Sequence, residues 1–192
     1  DTDLKRESDI KADIANFFNA IDRLLLLDLT LKYVHEDWLR SLIRQVVLHD
    51  PTTNFQARSP KILFDQVPRR KSLFHAGPNK GLPIGNLTSQ FFANIYLDGL
   101  DHYTKEDLQC RSYIRYVDDI TAFGDDKQKL WKIGKAMGEY LSTLRLTMHP
   151  DKTIVVPVSQ GVDYLGYRVF PDRRRLRKDN VVRFRRRMQK MQ

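Results

Sequence analysis

The sequence predicts an α+β fold in which an antiparallel sheet carries helices on one face. Three observations lead there. Strand-like and helix-like stretches follow one another irregularly, as strand, helices, loop, helix, hairpin, helix and strands, without the steady alternation of a parallel sheet. Two segments, 36–48 and 127–144, repeat apolar residues at helical spacing. Between them lies S-Y-I-R-Y-V-D-D-I-T-A-F-G (112–124), two β-forming runs that meet at a pair of acids.

Taken in order, residues 8–16 alternate well enough for a strand, with Ile10, Ala12 and Ile14 on one face and Lys11 and Asp13 on the other. Asn16 or Asn19 is positioned to cap a following helix that carries Ile21, Leu24, Leu25 and Leu27. The helix from Glu36 to Leu48 sets Trp38, Leu39, Leu42, Ile43, Val46 and Val47 on one stripe. Residues 50–80 are loop-rich, punctuated by four prolines and a short apolar run at 62–64, and read as an insertion or flap. G-L-P-I-G-N-L-T-S-Q (81–90) opens a helix that Asn86 or Thr88 can cap, and Gly85 admits close approach of a ligand to the backbone. It lacks the Lys-Ser or Lys-Thr of a Walker loop. Lys127 to Leu144 is a second amphipathic helix, with Leu130, Ile133, Met137 and Leu141 facing the core. Thr153 to Val158 is a strand, and 161–170 is a further β unit with Gly166 at its middle.

Composition narrows the function classes. The chain has 192 residues and 41% hydrophobic content, enough for one sizeable core. No apolar run approaches membrane-spanning length, no signal peptide is visible, and the single Cys110 excludes an internal disulfide. A cytoplasmic protein with no membrane partner is the expectation. The chain begins at Asp1 rather than Met, so its natural N-terminus is expected to be missing. Net charge is +9, and the last 21 residues hold ten Lys or Arg against two Asp. That tail is a candidate contact for a phosphate backbone, or else a solvated charged helix.

Two adjacent carboxylates oppose strand formation unless they sit at a bend, where Asp is favoured and water is near. Placed there, Asp118 and Asp119 aim negative oxygens into one region, with a divalent cation as the natural counter-charge. Asp13, 105 positions before Asp118, supplies a third acid at a strand end. Such a set suits two ions about 3.5–4 Å apart that hold the attacking and leaving oxygens of a phosphoryl transfer. His35, His49, His75, His102 and His149 are scattered, so zinc is not indicated and each is read as surface or core.

The stretches D-I-A-N-F-F-N-A-I-D (13–22), G-L-P-I-G-N-L-T-S-Q (81–90), Y-V-D-D (116–119), L-T-M-H-P-D-K-T (146–153) and G-V-D-Y-L-G-Y (161–167) stand in the order of motifs A to E of reverse transcriptases. The chain resembles the palm of that family from residue 9 to about 170, and most resembles the bacterial type found in diversity-generating retroelements. The resemblance implies a polymerase palm at 1–171 without its fingers, and at 172–192 the basic start of a thumb. It implies RNA-directed DNA synthesis, with error-prone copying of template adenines as that type's hallmark. Asp13, Asp118 and Asp119 are then the catalytic, metal-binding carboxylates, joined by the backbone carbonyl of Ile14. Two Mg²⁺ ions are the implied cofactors, with Mn²⁺ as a substitute.

On the same resemblance, Phe18 is the steric gate beneath the sugar, and Ile84, Gly85, Gln90 and Lys152 belong to the nucleotide site. Tyr164, Leu165 and Gly166 form the primer grip. Arg173, Arg174, Arg175, Arg177, Arg183, Arg185, Arg186 and Arg187 reach for nucleic acid. The implied partners are an RNA template, a DNA or RNA primer, dNTP and an accessory protein of the retroelement. Ile84 stands where most reverse transcriptases have Gln, and Gln90 replaces a common Pro. Both changes favour the retroelement type over a retron or group II intron enzyme. An RNA-dependent RNA polymerase is a second reading, which Phe18 opposes. A catalytically inactive RNA-binding palm fragment is a third, which the three intact acids oppose.

Overall fold

The structure, a computed structural model, describes residues 8–60 and 62–191. Residues 1–7 of the expected palm unit and Gln192 of the basic tail lie outside the described residues. Strand β1 (Ser8–Asp13) is central in a four-stranded sheet of order β2-β3-β1-β4, in which β2 is Tyr113–Tyr116, β3 is Asp119–Gly124 and β4 is Ile154–Pro157. Every pairing in it is antiparallel. The alternation of β1 decides which side is dry. Ile10 and Ala12 are fully buried, opposite Ala122 and Ile120, which are also fully buried. Asp9, Lys11 and Asp13 take the other face.

The dry face is covered by α6 (Lys127–Thr143), which buries Leu130, Ile133, Met137 and Leu141 as the spacing predicts. Gly134 permits the close approach, because a Cβ there would run into Cδ1 of Ile10. Each such aliphatic side chain contributes about 1.5–3 kcal/mol relative to exposure. Helix α5 (Leu87–His102) adds Phe92, Ala93, Tyr96, Leu97 and Leu100 to the same core. The Tyr96 hydroxyl donates to the Leu144 carbonyl at 2.7 Å, and burial pushes its pKa up to about 12. The α+β architecture is therefore as the sequence predicts.

Three local expectations fail for identifiable reasons. Neither Asn16 nor Asn19 caps the long helix after β1. A short α1 (Phe17–Ala20) intervenes, preceded by Asn16 in a left-handed conformation without a side-chain cap. Asp22 caps α2 (Arg23–Leu31), accepting from the Leu24 and Leu25 amides at 3.0 and 3.1 Å. Of the leucines on this helix, Leu26 and Leu27 are buried while Leu24 is exposed, because the core lies against that face. In α3 (Asp37–Leu48) only Ile43 and Val47 of the predicted stripe are buried, and Trp38 and Leu42 face outward. A helical stripe predicts one apolar face, but not that the rest of the molecule is wide enough to cover it.

A second sheet, order β5-β6-β7, follows: β5 is Val162–Tyr164, β6 is Tyr167–Val169 and β7 is Arg174–Leu176. The expected boundary at 171/172 falls inside this sheet, because β7 pairs antiparallel with β6. The basic run then continues as α7 (Lys178–Gln189), which buries no residue. Residues 50–80 contain α4 (Ile62–Asp65) and two 3-10 turns, Arg69–Lys71 and Leu73–His75. Phe55, Phe64 and Phe74 hold this segment together, with ring centroids 5.1–6.3 Å apart.

Candidate active site

The acid pair stands at the bend between β2 and β3. Val117 and Asp118 make the turn, and Asp119 begins β3 directly opposite Asp13, the last residue of β1. Val117 has φ 57°, which is strained for a β-branched residue. A brace holds it. Arg115 donates from Nη1 to the Val117 carbonyl at 3.0 Å and to Asn94 Oδ1 at 3.1 Å. Its Nε and Nη2 grip both oxygens of Asp101, on α5, at 2.8 and 2.6 Å. Burial opposes the charge on Arg115, but Asp101 outweighs it and raises the guanidinium pKa. Tyr113 donates to the same carboxylate at 2.8 Å, so the strained turn is tied to the core through one nearly buried guanidinium.

The electrostatics agree with clustered acids. Burial raises the Asp118 pKa, and the negative charges of Asp13 and Asp119 raise it further. Asp13 pairs with Lys152, carried on the 3-10 turn Pro150–Lys152. That turn is delivered by backbone bonds from His149 to the Asp13 carbonyl, 2.7 Å, and from Ala15 to the Thr147 carbonyl, 2.9 Å. Lys11 lies 3.9 Å from Asp119. Ile14 is bridged to Met148, and its side chain is buried.

Among the described residues no three His, Cys, Asp or Glu side chains converge as ligands of one ion, and lysines lie against Asp13 and Asp119. The donor chemistry nonetheless fits a hard divalent cation. Three carboxylates share one sheet end, and mutual repulsion already acts on Asp118.

Two cavities flank this point. One, about 500 Å³, is lined by Asp13, Phe18, Ile84, Asp118 and Lys152, residues from four of the five motifs taken together. His149 also lines it, with Nδ1 buried and without a partner, so it is neither plain surface nor plain core. Arg70 and Lys71, from the segment without an expected role, complete the wall. Ile84 is 74% exposed, so its side chain is free to meet a ligand. Gly85 (φ 102°) and Gln90 are exposed near the start of α5 and do not line this cavity.

The other cavity, about 520 Å³, runs from Asp13 and Asp119 to the second sheet, where Asp163, Arg168 and Arg177 line it. Tyr164, Leu165 and Gly166 form the tip of the β5–β6 hairpin. The Gly166 carbonyl accepts from the Arg177 amide at 3.1 Å and from Asn180 Nδ2 at 3.0 Å. Gly166 has φ 84°, and a Cβ there would also displace Asn180 Nδ2, 2.7 Å away, from its bond to the tip, so the tip favours a glycine there. Of the basic tail, Arg177 faces Asp163 at 3.5 Å, Arg173 stacks over Phe170 at 4.5 Å and binds Asp172, and Arg174 lies 6.0 Å from the Tyr167 ring. Arg175, Arg183, Arg185, Arg186 and Arg187 are exposed.

Sequence reasoning missed Arg115, Asp101, Asp9 and the cavity positions of His149, Arg70 and Lys71. A signal existed for the first pair, since an arginine inside an apolar strand has to find a carboxylate when it folds.

The family described as "Reverse transcriptase (RNA-dependent DNA polymerase)" matches residues 5–169 of this chain. The chain belongs to that family and is an RNA-directed DNA polymerase, a nucleotidyltransferase. The family implies a nucleic-acid template, a primer and dNTP as substrates, and generally uses divalent metal ions. No curated protein matches the chain. Among the described residues, no helix is long and apolar enough to cross a membrane.

Proposed function

We propose that Asp13, Asp118 and Asp119 are the catalytic carboxylates of RNA-templated DNA synthesis by two-metal phosphoryl transfer, with Mg²⁺ as the ion. The observation that carries this reading is the register of β1 and β3, which sets Asp13 opposite Asp119, beside an Asp118 whose pKa is raised by burial and then by both charges. The ions, when held by these carboxylates and the Ile14 carbonyl, supply charge stabilisation to the attacking and leaving oxygens. The chain's residues do the rest. Phe18 lies under the sugar and excludes a 2′-hydroxyl. Lys152, paired with Asp13 in the free protein, neutralises charge on the departing pyrophosphate. The β5–β6 tip grips the primer, and the exposed arginines of α7 hold the duplex backbone.

Asp118→Asn removes charge stabilisation from the transition state and leaves core packing alone. Primer extension is expected to fall by about a thousandfold or more, with the melting temperature unchanged or higher because one repulsive charge is gone. Extension near the wild-type rate would remove this turn from the active site.

The finer reading is an error-prone enzyme of the diversity-generating retroelement type, acting in the cytoplasm with an accessory protein. Exposed Ile84 on the nucleotide cavity supports it. An Ile offers dispersion contacts that are nearly indifferent to base-pair geometry, where a Gln restrains by hydrogen bonds. Ile84→Gln is expected to lower misincorporation opposite template adenine about two- to tenfold, the worth of one polar restraint. Sequencing cDNA copied from one RNA by both proteins reads the effect, and an equal adenine error rate would detach fidelity from Ile84.

A further inference from the structure

The 3-10 turn Arg69–Lys71 belongs to a segment that none of the five motifs covers, yet it puts two cations on the wall that Asp13, Asp118, Phe18 and Lys152 share. We infer that Arg70 and Lys71 bind the triphosphate of the incoming nucleotide. The inference rests on the proposed active site and names the residues that take its substrate's phosphates.

The turn is anchored to the segment that carries the ring beneath the sugar. Asn19, the residue after Phe18, donates from Nδ2 to the Arg70 carbonyl at 3.1 Å. The chain's return is pinned to the same stretch. Leu82 donates to the Phe18 carbonyl, Gly81 to the Ile21 carbonyl and Arg23 to the Asn79 carbonyl, each at 2.8 Å. Gly81 has φ 85°, and a Cβ there would strike Leu73, two residues past the turn. Ring and cations therefore share one frame, as recognition of sugar and phosphates on a single ligand requires.

Charge and size point the same way. Among the described residues no carboxylate pairs with Arg70 or Lys71, so both cations remain open to an anion. The cavity, about 500 Å³, has the scale of a small-molecule site. A triphosphate brings several charges into that volume, where a nucleic-acid backbone spreads one charge per diester along a groove. Arg offers a flat fork for phosphate oxygens and Lys a point charge.

The test titrates inorganic tripolyphosphate into the purified full chain, in EDTA at fixed ionic strength, and follows binding by calorimetry. Arg70→Gln with Lys71→Gln is expected to weaken binding about tenfold or more, as loss of two charge-assisted contacts implies. Lys132→Gln with Lys135→Gln removes equal charge from exposed positions on α6 and is expected to change it less than about twofold. Equal losses in the two variants, no loss in the first, or no binding by the wild type would overturn the inference. So would weakened template–primer binding with tripolyphosphate affinity intact, which would assign the pair to a nucleic-acid backbone. Primer extension by Asp118→Asn separates the two readings. If that variant is dead while the Arg70/Lys71 variant keeps its KM for dNTP, the active site stands and only the phosphate wall falls.

Discussion

The two sheets are built on opposite principles. The four-stranded sheet gets its shape from burial: Ile10, Ala12, Ile120 and Ala122 are at zero exposure, and α6 lies directly on them. The three-stranded sheet exposes every residue of β6 and β7 and is held by turn geometry, Asn180 on Gly166 and the ion pairs of Asp163. Carboxylates that must meet reacting oxygens need a frame that does not yield, and packed cores supply it. On the proposed function the second sheet grips a moving duplex, which needs charge and room instead. The difference teaches where each kind of damage should show: in rate for the first sheet, in affinity for the second.

The sharpest way to break that division is to remove the second region's charge. Deleting 173–192 takes away ten Lys or Arg, along with β7 and α7. If the cations release counterions from a duplex, template–primer affinity measured between about 50 and 200 mM salt should lose most of its salt slope, which for six to ten contacts amounts to about 10³–10⁵-fold. The first sheet should keep its melting behaviour. An unchanged slope would make the tail a solvated helix. A collapsed melting transition would mean that the two sheets are not separable.

A smaller perturbation asks whether rate really depends on the rigidity of the first sheet. Asp101→Asn weakens the partner of Arg115 without touching any acid of the site. Leaving a nearly buried guanidinium poorly paired costs about 3 kcal/mol. The Val117 carbonyl, held by that guanidinium, should then relax from its strained conformation. Extension is expected to slow through kcat, with KM for dNTP and template affinity little changed. A variant that loses stability but keeps kcat would show that the turn holds its shape unaided.

How much of this was legible in the sequence follows the same division. The dry face of the first sheet was readable, because alternation in 8–16 and helical spacing in 127–144 are local patterns that burial simply obeys. The bend at Asp118 was readable because acids in a β run have few other places to be. The brace from Arg115 to Asp101 was not, since it joins residues 14 apart through one specific rotamer. Nor was the 3-10 turn beside Phe18. Its position depends on Asn19 reaching a carbonyl 51 residues away, and no periodicity records such a contact. The strand β7 escaped because Arg174, Arg175 and Leu176 lack alternation, and pairing with β6 decides their conformation.

The seam between the two sheets offers the mildest test. Asp9 is 1% exposed on β1, and its Oδ1 has no partner. It lines the cavity shared with Lys11, Asp13, Asp119, Asp163, Arg168 and Arg177. Burial raises its pKa from 3.8 to about 6, against a hydrogen bond from its own backbone amide and the charge of Lys11. A carboxyl that holds its proton more tightly when folded favours the fold fully below its unfolded pKa, and that contribution is lost as pH rises through about 6. The protein should therefore carry a penalty above pH 6 of at most about 3 kcal/mol. Asp9→Asn should remove it, stabilising the chain at pH 8 and leaving it nearly unchanged at pH 4. Urea unfolding of both proteins across that range gives the difference directly. A gain of equal size at both pH values would trace the effect to packing of the amide rather than to charge. A loss at pH 8 would show that ionised Asp9 finds a cation across the seam, making the junction of the two sheets an electrostatic contact like the second sheet rather than a buried one like the first.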